Sequence, residues 1–503
     1  MASTSSGAAG YRGLQLCGSI PTDELSAVNS RWLDDAALLV AMTHQQQMAI
    51  AVNRTIVMRL SWAITSGGGG GGDQSPPPPM VRKVGSCLES DEQLTAMEWV
   101  VFEAATVLAV GTSFGALLLF SQKGNLLIKQ YFHSDPVLWL RVRSEPLGHM
   151  RNDTSEDLCI IYPKAIARIE THDLLVSSFT ISIAQKLRER EGMEGEGLLG
   201  WRVGGEGLDG EPPPNRLPFL MWNVNKAAAG LVCADGAVVG LMPPPLLEQQ
   251  SRRHYAALTV GPDSTLAAFR VSGDKNSSLV GVIMDNLMPA TVTRIASLTK
   301  RFWQRDENSE SNRPTEVSPQ AFSRASLVTC LKDPVRKGER LAVAPGGSLA
   351  AVADSLGRVL LVDVHAVVVV RIWKGYRDAH CLFLEAPVDG SASYGDLHHP
   401  YLLSQKRQEF CLCLAIHAPR RGVVEVWQMR HGARLANIRV PESCCLLQPS
   451  CKLRDFLDLD SQNLDHEYEE HEMFEPAKVY ILQGYSGNIS LINPFMPVKK
   501  KLF

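Results

Sequence analysis

Apolar residues along this chain gather in runs of about four to eight, each closed by a turn signal, a length that favours strands over helices. Residues 346–373 (GGSLAAVADSLGRVLLVDVHAVVVVRIW) predict strands from Leu349 to Ala353, Val359 to Val364 and Val367 to Trp373. Turns at Asp354–Gly357 and His365–Ala366 separate them, and LAVAP at 341–345 supplies a fourth strand. The same order recurs at 106–132 (TVLAV, ALLLF, LLIKQYF) and at 411–440 (CLCLAI, VVEVWQM, ARLANIRV). Weaker copies lie at 37–60, 158–169 and 478–492, and one at 229–242 is expected to turn on Asp235–Gly236, a pair suited to a type I′ hairpin. The runs are rich in Val, Ile and Leu, as strands require. Helical periodicity is scarce, with 178–189 and 292–303 the best short candidates.

Repeated three- or four-strand meanders predict an all-β fold, a WD40-like β-propeller of about seven divergent blades with disordered insertions. A blade cannot hide both faces by itself, and stacking around an axis buries them. The units are unevenly spaced, with a long gap between 242 and 341, so a split propeller and a sandwich stay open as alternatives. Residues 1–30 are expected to be a flexible N-terminus, 31–498 the propeller and 499–503 a basic tail. Flexible insertions are expected near 66–80, 186–220, 304–319 and 451–476, where Gly, Pro and charge replace apolar residues.

Composition narrows the function classes. The chain has 503 residues, 45% hydrophobic and 20% charged, with formal net charge −3 and a pI near 6.5. Such a balance argues against a protein built to grip nucleic acid. No apolar run reaches the length of a membrane span, so membrane association is expected to be peripheral at most. Eleven cysteines with no signal peptide fit reduced thiols in the cytoplasm.

Chemistry-bearing motifs are few. Gly111-Thr112-Ser113-Phe114-Gly115 matches a nucleophile elbow and makes a serine hydrolase using Ser113 a remote alternative, but ALLLF after it reads as a strand where the elbow needs a helix. His466 and His471 are five apart, too far round a helix to share a zinc ion as a zincin pair does. Cys411 with Cys413, and Cys444 with Cys445, lack the spacing of a structural zinc site. No Gly-Lys dipeptide occurs, hence no phosphate-binding loop. No catalytic, metal or cofactor-binding residue is assigned. Candidate interaction residues are Arg371, Trp373, Lys374, Tyr376, Arg377 and Asp378, with Arg420 and Arg421 in the APRRG turn, because Arg, Trp and Tyr dominate interface energetics. The competing structural reading packs Trp373 between blades, pairs Arg377 with Asp378 and leaves the arginines at a solvated hairpin tip.

SLAAVADSLGRVLLVDV, RIWKGYRDA and IHAPRRGVVEVW, with DPVLWLRVR and IIYPKAIARI upstream, resemble the N-terminal domain of the non-catalytic regulatory subunit of the Rab-three GTPase-activating complex. The resemblance implies a propeller that pairs with a separate catalytic GTPase-activating subunit and a Rab-family small GTPase. It further implies a part in GTPase activation, or in guanine-nucleotide exchange on a Rab of the Rab-eighteen type, at endoplasmic reticulum and lipid-droplet surfaces; the alternative is a generic propeller interaction scaffold with other partners. Members of that family continue into a long, largely helical C-terminal region, whereas this sequence stops at Phe503.

Overall fold

The computed structural model describes residues 14–20, 33, 38–44, 47–61, 80–102, 105–143, 156–175, 177–178, 217–242, 254–273, 322–387, 410–429, 432–441, 443–453 and 475–492. They form 28 strands in seven four-stranded antiparallel sheets. The first strand, β1 (Leu14–Ser19), joins the last sheet. Blade 1 is β2 (Leu39–Met42), β3 (Gln47–Val52), β4 (Thr55–Ser61) and β5 (Met80–Lys83). Blade 2 is β6 (Leu94–Val101), β7 (Thr106–Thr112), β8 (Ala116–Ser121) and β9 (Leu126–Tyr131). Blade 3 is β10 (Trp139–Arg143), β11 (Asp157–Ile161), β12 (Ala165–Glu170) and β13 (Leu220–Asn223). Blade 4 is β14 (Asp235–Met242), β15 (His254–Val260), β16 (Leu266–Ser272) and β17 (Ala325–Leu331). Blade 5 is β18 (Gly338–Val343), β19 (Leu349–Asp354), β20 (Arg358–Asp363) and β21 (Val368–Lys374). Blade 6 is β22 (His380–Pro387), β23 (Phe410–Ala418), β24 (Val423–Gln428) and β25 (Arg434–Arg439). Blade 7 is β26 (Cys444–Leu447), β27 (Tyr480–Gln483) and β28 (Asn488–Ile492), completed by β1 against β28. The first strand of each blade touches the first strands of both neighbours, and β26 touches β2, so the ring closes as a seven-bladed propeller.

Strand periodicity explains the stacking. Val107 and Ala109 of β7 enter a core shared with blade 3, while Leu108 and Val110 enter one shared with blade 1. Both faces of a blade are buried, so the runs are apolar at every position instead of alternating with polar residues. A core of this kind lies between every pair of successive blades. The last couples Leu447, Leu482 and Ile489 of blade 7 to Met42, Met48 and Ile50 of blade 1.

Buried charge ties the inner strands together. Asp235, 1% exposed, accepts from Arg141 Nη2 at 2.7 and 2.8 Å and from the Leu341 amide at 2.8 Å, linking blades 3, 4 and 5. The expected hairpin at Asp235–Gly236 is therefore corrected: both residues open β14, opposite Val260 and Thr259. The aspartate is there as a charge partner, not as a turn former.

Other sequence expectations shift at their edges. Leu14–Ser19, placed in the flexible N-terminus, is a strand because its backbone completes the β28 ladder. Met80 opens β5 and Leu220 opens β13, both inside stretches expected to be insertions. Residues 451–453 are also ordered: the segment from Gln448 to Leu453 crosses blades 6, 1 and 2. Gln448 Nε2 donates to the Phe383 carbonyl, the Ser450 amide to Met42 and the Leu453 amide to Val101. Ser450 Oγ also donates to Glu98. The gap between 242 and 341 holds β15, β16 and β17. Strand β21 begins at Val368, Val367 belonging to the turn with φ of 53°. The helix candidates beyond Ser178, the centres of the four insertions, the His466–His471 pair and the basic tail lie outside the described residues.

Two stability predictions follow from these charges. Asp235→Ala removes the carboxylate paired with Arg141 and is expected to cost about 3–5 kcal/mol. Comparing urea midpoints with those of the exposed control Asp263→Ala checks this. Burial pushes the Glu98 carboxyl up to about 7, against the opposing Ser450 and Trp99 hydrogen bonds and the Arg141 charge. The native fold thus favours the protonated form, and its contribution, complete below the ordinary value of 4.5, is lost as pH rises through about 7. Glu98→Gln is expected to raise stability by roughly 1–2 kcal/mol at pH 8 and to leave it unchanged at pH 4, read from urea midpoints at both.

Candidate protein-interaction surface

Six of the eight candidate residues, Arg371, Trp373, Tyr376, Asp378, Arg420 and Arg421, meet at the junction of blades 5 and 6, while Lys374 and Arg377 lie beside it on blade 5 and its linker. Strand β21 brings Arg371 and Trp373 to the blade 6 side because its β-bulge at Val370 inverts the facing of the residues after it. Trp373 and Tyr376, 5% and 4% exposed, belong to the core between the two blades, as the packing reading required of Trp373. The Arg371 guanidinium stacks on Trp373 at 4.4 Å and on Trp427 at 5.1 Å. Its Nη2 donates to the Gly432 carbonyl at 2.8 Å. Burial lowers its pKa, outweighing the opposing influence of Tyr376.

Glu425 of β24 organises the rest. Its carboxylate, 1% exposed, accepts from the Tyr376 hydroxyl at 2.5 Å, Arg421 Nη2 at 2.8 Å, Arg434 Nη1 at 3.1 Å and Trp427 Nε1 at 3.2 Å. Burial pushes the Glu425 carboxyl up, but the Tyr376 hydrogen bond and the Arg421 and Arg434 charges outweigh it and hold the group below its ordinary value. Arg421 also lies over the Tyr376 ring at 5.3 Å.

The expected pairing of Arg377 with Asp378 is corrected. Asp378, at φ of 58°, accepts instead from Arg420 Nε at 2.5 Å, joining the blade 5–6 linker to the β23–β24 turn. Both partners are more than half exposed, so the pair adds little to stability. Arg377 is exposed, and its backbone lies where a Cβ on Gly357 would stand, at 2.9 Å. Lys374 is exposed on the same strand as Val368, Val370 and Ile372, at 51%, 55% and 47%. The face therefore combines basic heads, an aliphatic edge and few acids. Sequence reasoning missed Glu425, Trp427 and Arg434, although an acid inside the apolar run VVEVWQM was a signal for a buried charge hub.

The remaining motifs take structural places. Ser113 sits in the β7–β8 hairpin, its Oγ accepting from the Gln93 amide at 3.0 Å, and the strand β8 follows where an elbow needs a helix. Gly115 there has φ of 81° and packs on the His133 carbonyl. Cys413 is buried in the core of blades 6 and 7, with Cys411 packed against it, and Cys444 Sγ lies 3.4 Å from His417 Nε2. Among the described residues no group of three or more His, Cys, Asp or Glu is placed to hold a metal, and no helix is long and apolar enough to cross a membrane.

A family model for the N-terminus of the Rab3 GTPase-activating protein regulatory subunit matches residues 32–447. The chain belongs to that family. A Caenorhabditis elegans protein described as a Rab3 GTPase-activating protein regulatory subunit is 31% identical over 110 residues, 22% of this chain and 7% of the relative. The matched stretch thus spans a small part of that relative. Solved structures similar to this member of the Rab3 GTPase-activating regulatory-subunit family include a chain of the Mitotic Checkpoint Complex (9% identity, TM-score 0.38, covering 98% of this chain and 96% of the other). Saccharomyces cerevisiae Sqt1 (10%, 0.37) and the WD40 propeller domain of Doa1 (10%, 0.40) each match with 95% of this chain and 96% of their own covered.

The hub yields a pH-dependent prediction. A depressed carboxylate contributes stability that is present above its unfolded value, 4.5, and lost as pH falls through its lower native value. Glu425→Gln is expected to cost about 2–3 kcal/mol at pH 7 and progressively less below pH 4.5, measured by urea denaturation across that range.

Proposed function

We propose that this chain is a non-catalytic regulatory subunit of a Rab GTPase-regulating complex. In this reading the propeller is a scaffold that binds a catalytic GTPase-activating subunit and supports Rab nucleotide cycling, through GTPase activation or guanine-nucleotide exchange, in membrane traffic. Its place is the cytoplasm, peripheral to endoplasmic reticulum membranes. One observation carries the reading: the family match covers residues 32–447, blades 1 to 6 and the first strand of blade 7, and the segments RIWKGYRDA and APRRGVVEVW converge between blades 5 and 6. A basic face of this kind suits an acidic partner surface, with exposed Lys374, Arg377 and Arg420 steering encounter.

The test uses the full chain with a purified catalytic GTPase-activating subunit and a Rab loaded with GTP. The wild-type chain is expected to co-elute with the catalytic subunit and to change the rate of Rab nucleotide turnover. Reversing Lys374, Arg377 and Arg420 to Glu together is expected to weaken capture at least about tenfold while the thermal midpoint stays within about 2 °C. A wild-type chain that neither co-elutes nor alters turnover sinks the functional reading. Unchanged capture by the triple variant removes the interface from this face.

A further inference from the structure

A second surface lies one gap back, between blades 4 and 5. A groove of about 490 Å³ is lined by Val239, Met242 and Val328 of blade 4, Val364 and Val367 of blade 5, and the polar Arg270 and His365 among others. Two local irregularities shape it. A β-bulge in the outer strand β17 leaves Val328 without a partner on β16 and turns it into the groove. Val367 holds φ of 53°, a conformation β-branched residues avoid, and presents its side chain at the opposite wall. Outside the groove, β17 has no strand beyond it in its sheet among the described residues and exposes Leu327 and Leu331, at 39% and 42%.

The charge is unbalanced. Arg141, Arg143, Arg168, Arg336 and Arg358 each face a carboxylate. Arg270 faces none among the described residues, its Nε is buried without a hydrogen bond, and no acid lines the groove. We infer that this groove docks an extended peptide segment of a partner protein in which a carboxylate sits between aliphatic side chains. The carboxylate would pair with Arg270, the aliphatic groups would pack on Met242, Val328 and Val367, and the backbone would run along the free edge of β17. The inference goes beyond the regulatory-subunit reading and stands without it.

The probe is a fluorescently labelled eight-residue peptide of alternating Val and Glu, with a Val–Gln counterpart, titrated into the full chain by fluorescence polarisation. The Val–Glu peptide is expected to bind, the Val–Gln peptide at least tenfold more weakly, and Arg270→Gln is expected to weaken the Val–Glu peptide at least tenfold while Arg270→Lys recovers part of the loss. The peptide comparison needs no variant, so it decides even if Arg270→Gln fails to fold. Equal binding of the two peptides, binding indifferent to Arg270→Gln, or no binding up to about 1 mM overturns the inference. Binding that emerges only when residues 276–319 are deleted makes the chain's own segment the occupant and overturns it too. Concentration-dependent dimerisation in sedimentation, lost in Arg270→Gln, does so in favour of a second copy.

Discussion

A four-stranded sheet with two apolar faces finds cover in this chain only from its neighbours, so every blade depends on the ring being closed. Closure is made by one pairing, β1 on β28, with Leu14 opposite Ile492 and Ser19 opposite Asn488. The adjoining Ile20, 3% exposed, then seals the core that joins blade 7 to blade 1. Because chain start and chain end share this sheet, a local opening there exposes a core that both terminal blades need. The Gln448–Leu453 crossing acts in the same sense from the inside, stitching blades 6, 1 and 2 across the seam. Each backbone bond contributes only about 1 kcal/mol, but together they hold surfaces whose burial is worth far more.

The same constraint decided what the sequence disclosed. Strands whose two faces both enter cores, such as β7, β8, β19 and β20, stood out as unbroken apolar runs. Outer strands were less legible. A bulge occurs in the last strand of blades 2, 4, 5 and 6, at Leu127, Val328, Val370 and Leu435, and each breaks the period of two. Strand β15 was missed because His254 and Thr259 look polar yet are buried. Leu14–Ser19 carries too little apolar character to announce itself, since its role is backbone pairing with a strand far away in sequence.

At the blade 5–6 junction the residues were legible and their wiring was not. Trp373 and Tyr376 were visible as large side chains, but whether they packed or projected depends on the Val370 bulge. Asp378 looked like a partner for its neighbour Arg377, whereas its positive φ and the reach of Arg420 across the linker decided otherwise. Glu425 draws together Arg421, Trp427 and Arg434 of blade 6, and Tyr376 joins them only when blade 6 has stacked on blade 5.

The gaps between blades differ in how their charges are matched. Between blades 3 and 4, Asp157 pairs with both Arg143 and Arg168 beneath Tyr255, Glu170 adds a second carboxylate to Arg168, and the two guanidiniums are closed in. Between blades 5 and 6, Glu425 neutralises the inner ends of Arg421 and Arg434 while their side chains stay nearly half exposed, at 44% and 46%. Such a gap is both packed and readable from outside. Between blades 4 and 5, Arg270 has no acid partner among the described residues, and the aliphatic walls part into a groove. Charge left unmatched inside a packed ring is costly unless something outside matches it. The three gaps thus run from self-satisfied to externally dependent, and the two open ones flank blade 5, whose outer strand exposes Val368, Val370 and Ile372 between them. In the proposed readings, that continuity makes blade 5 the part of the ring where binding could be strengthened or lost without disturbing the closure on the far side.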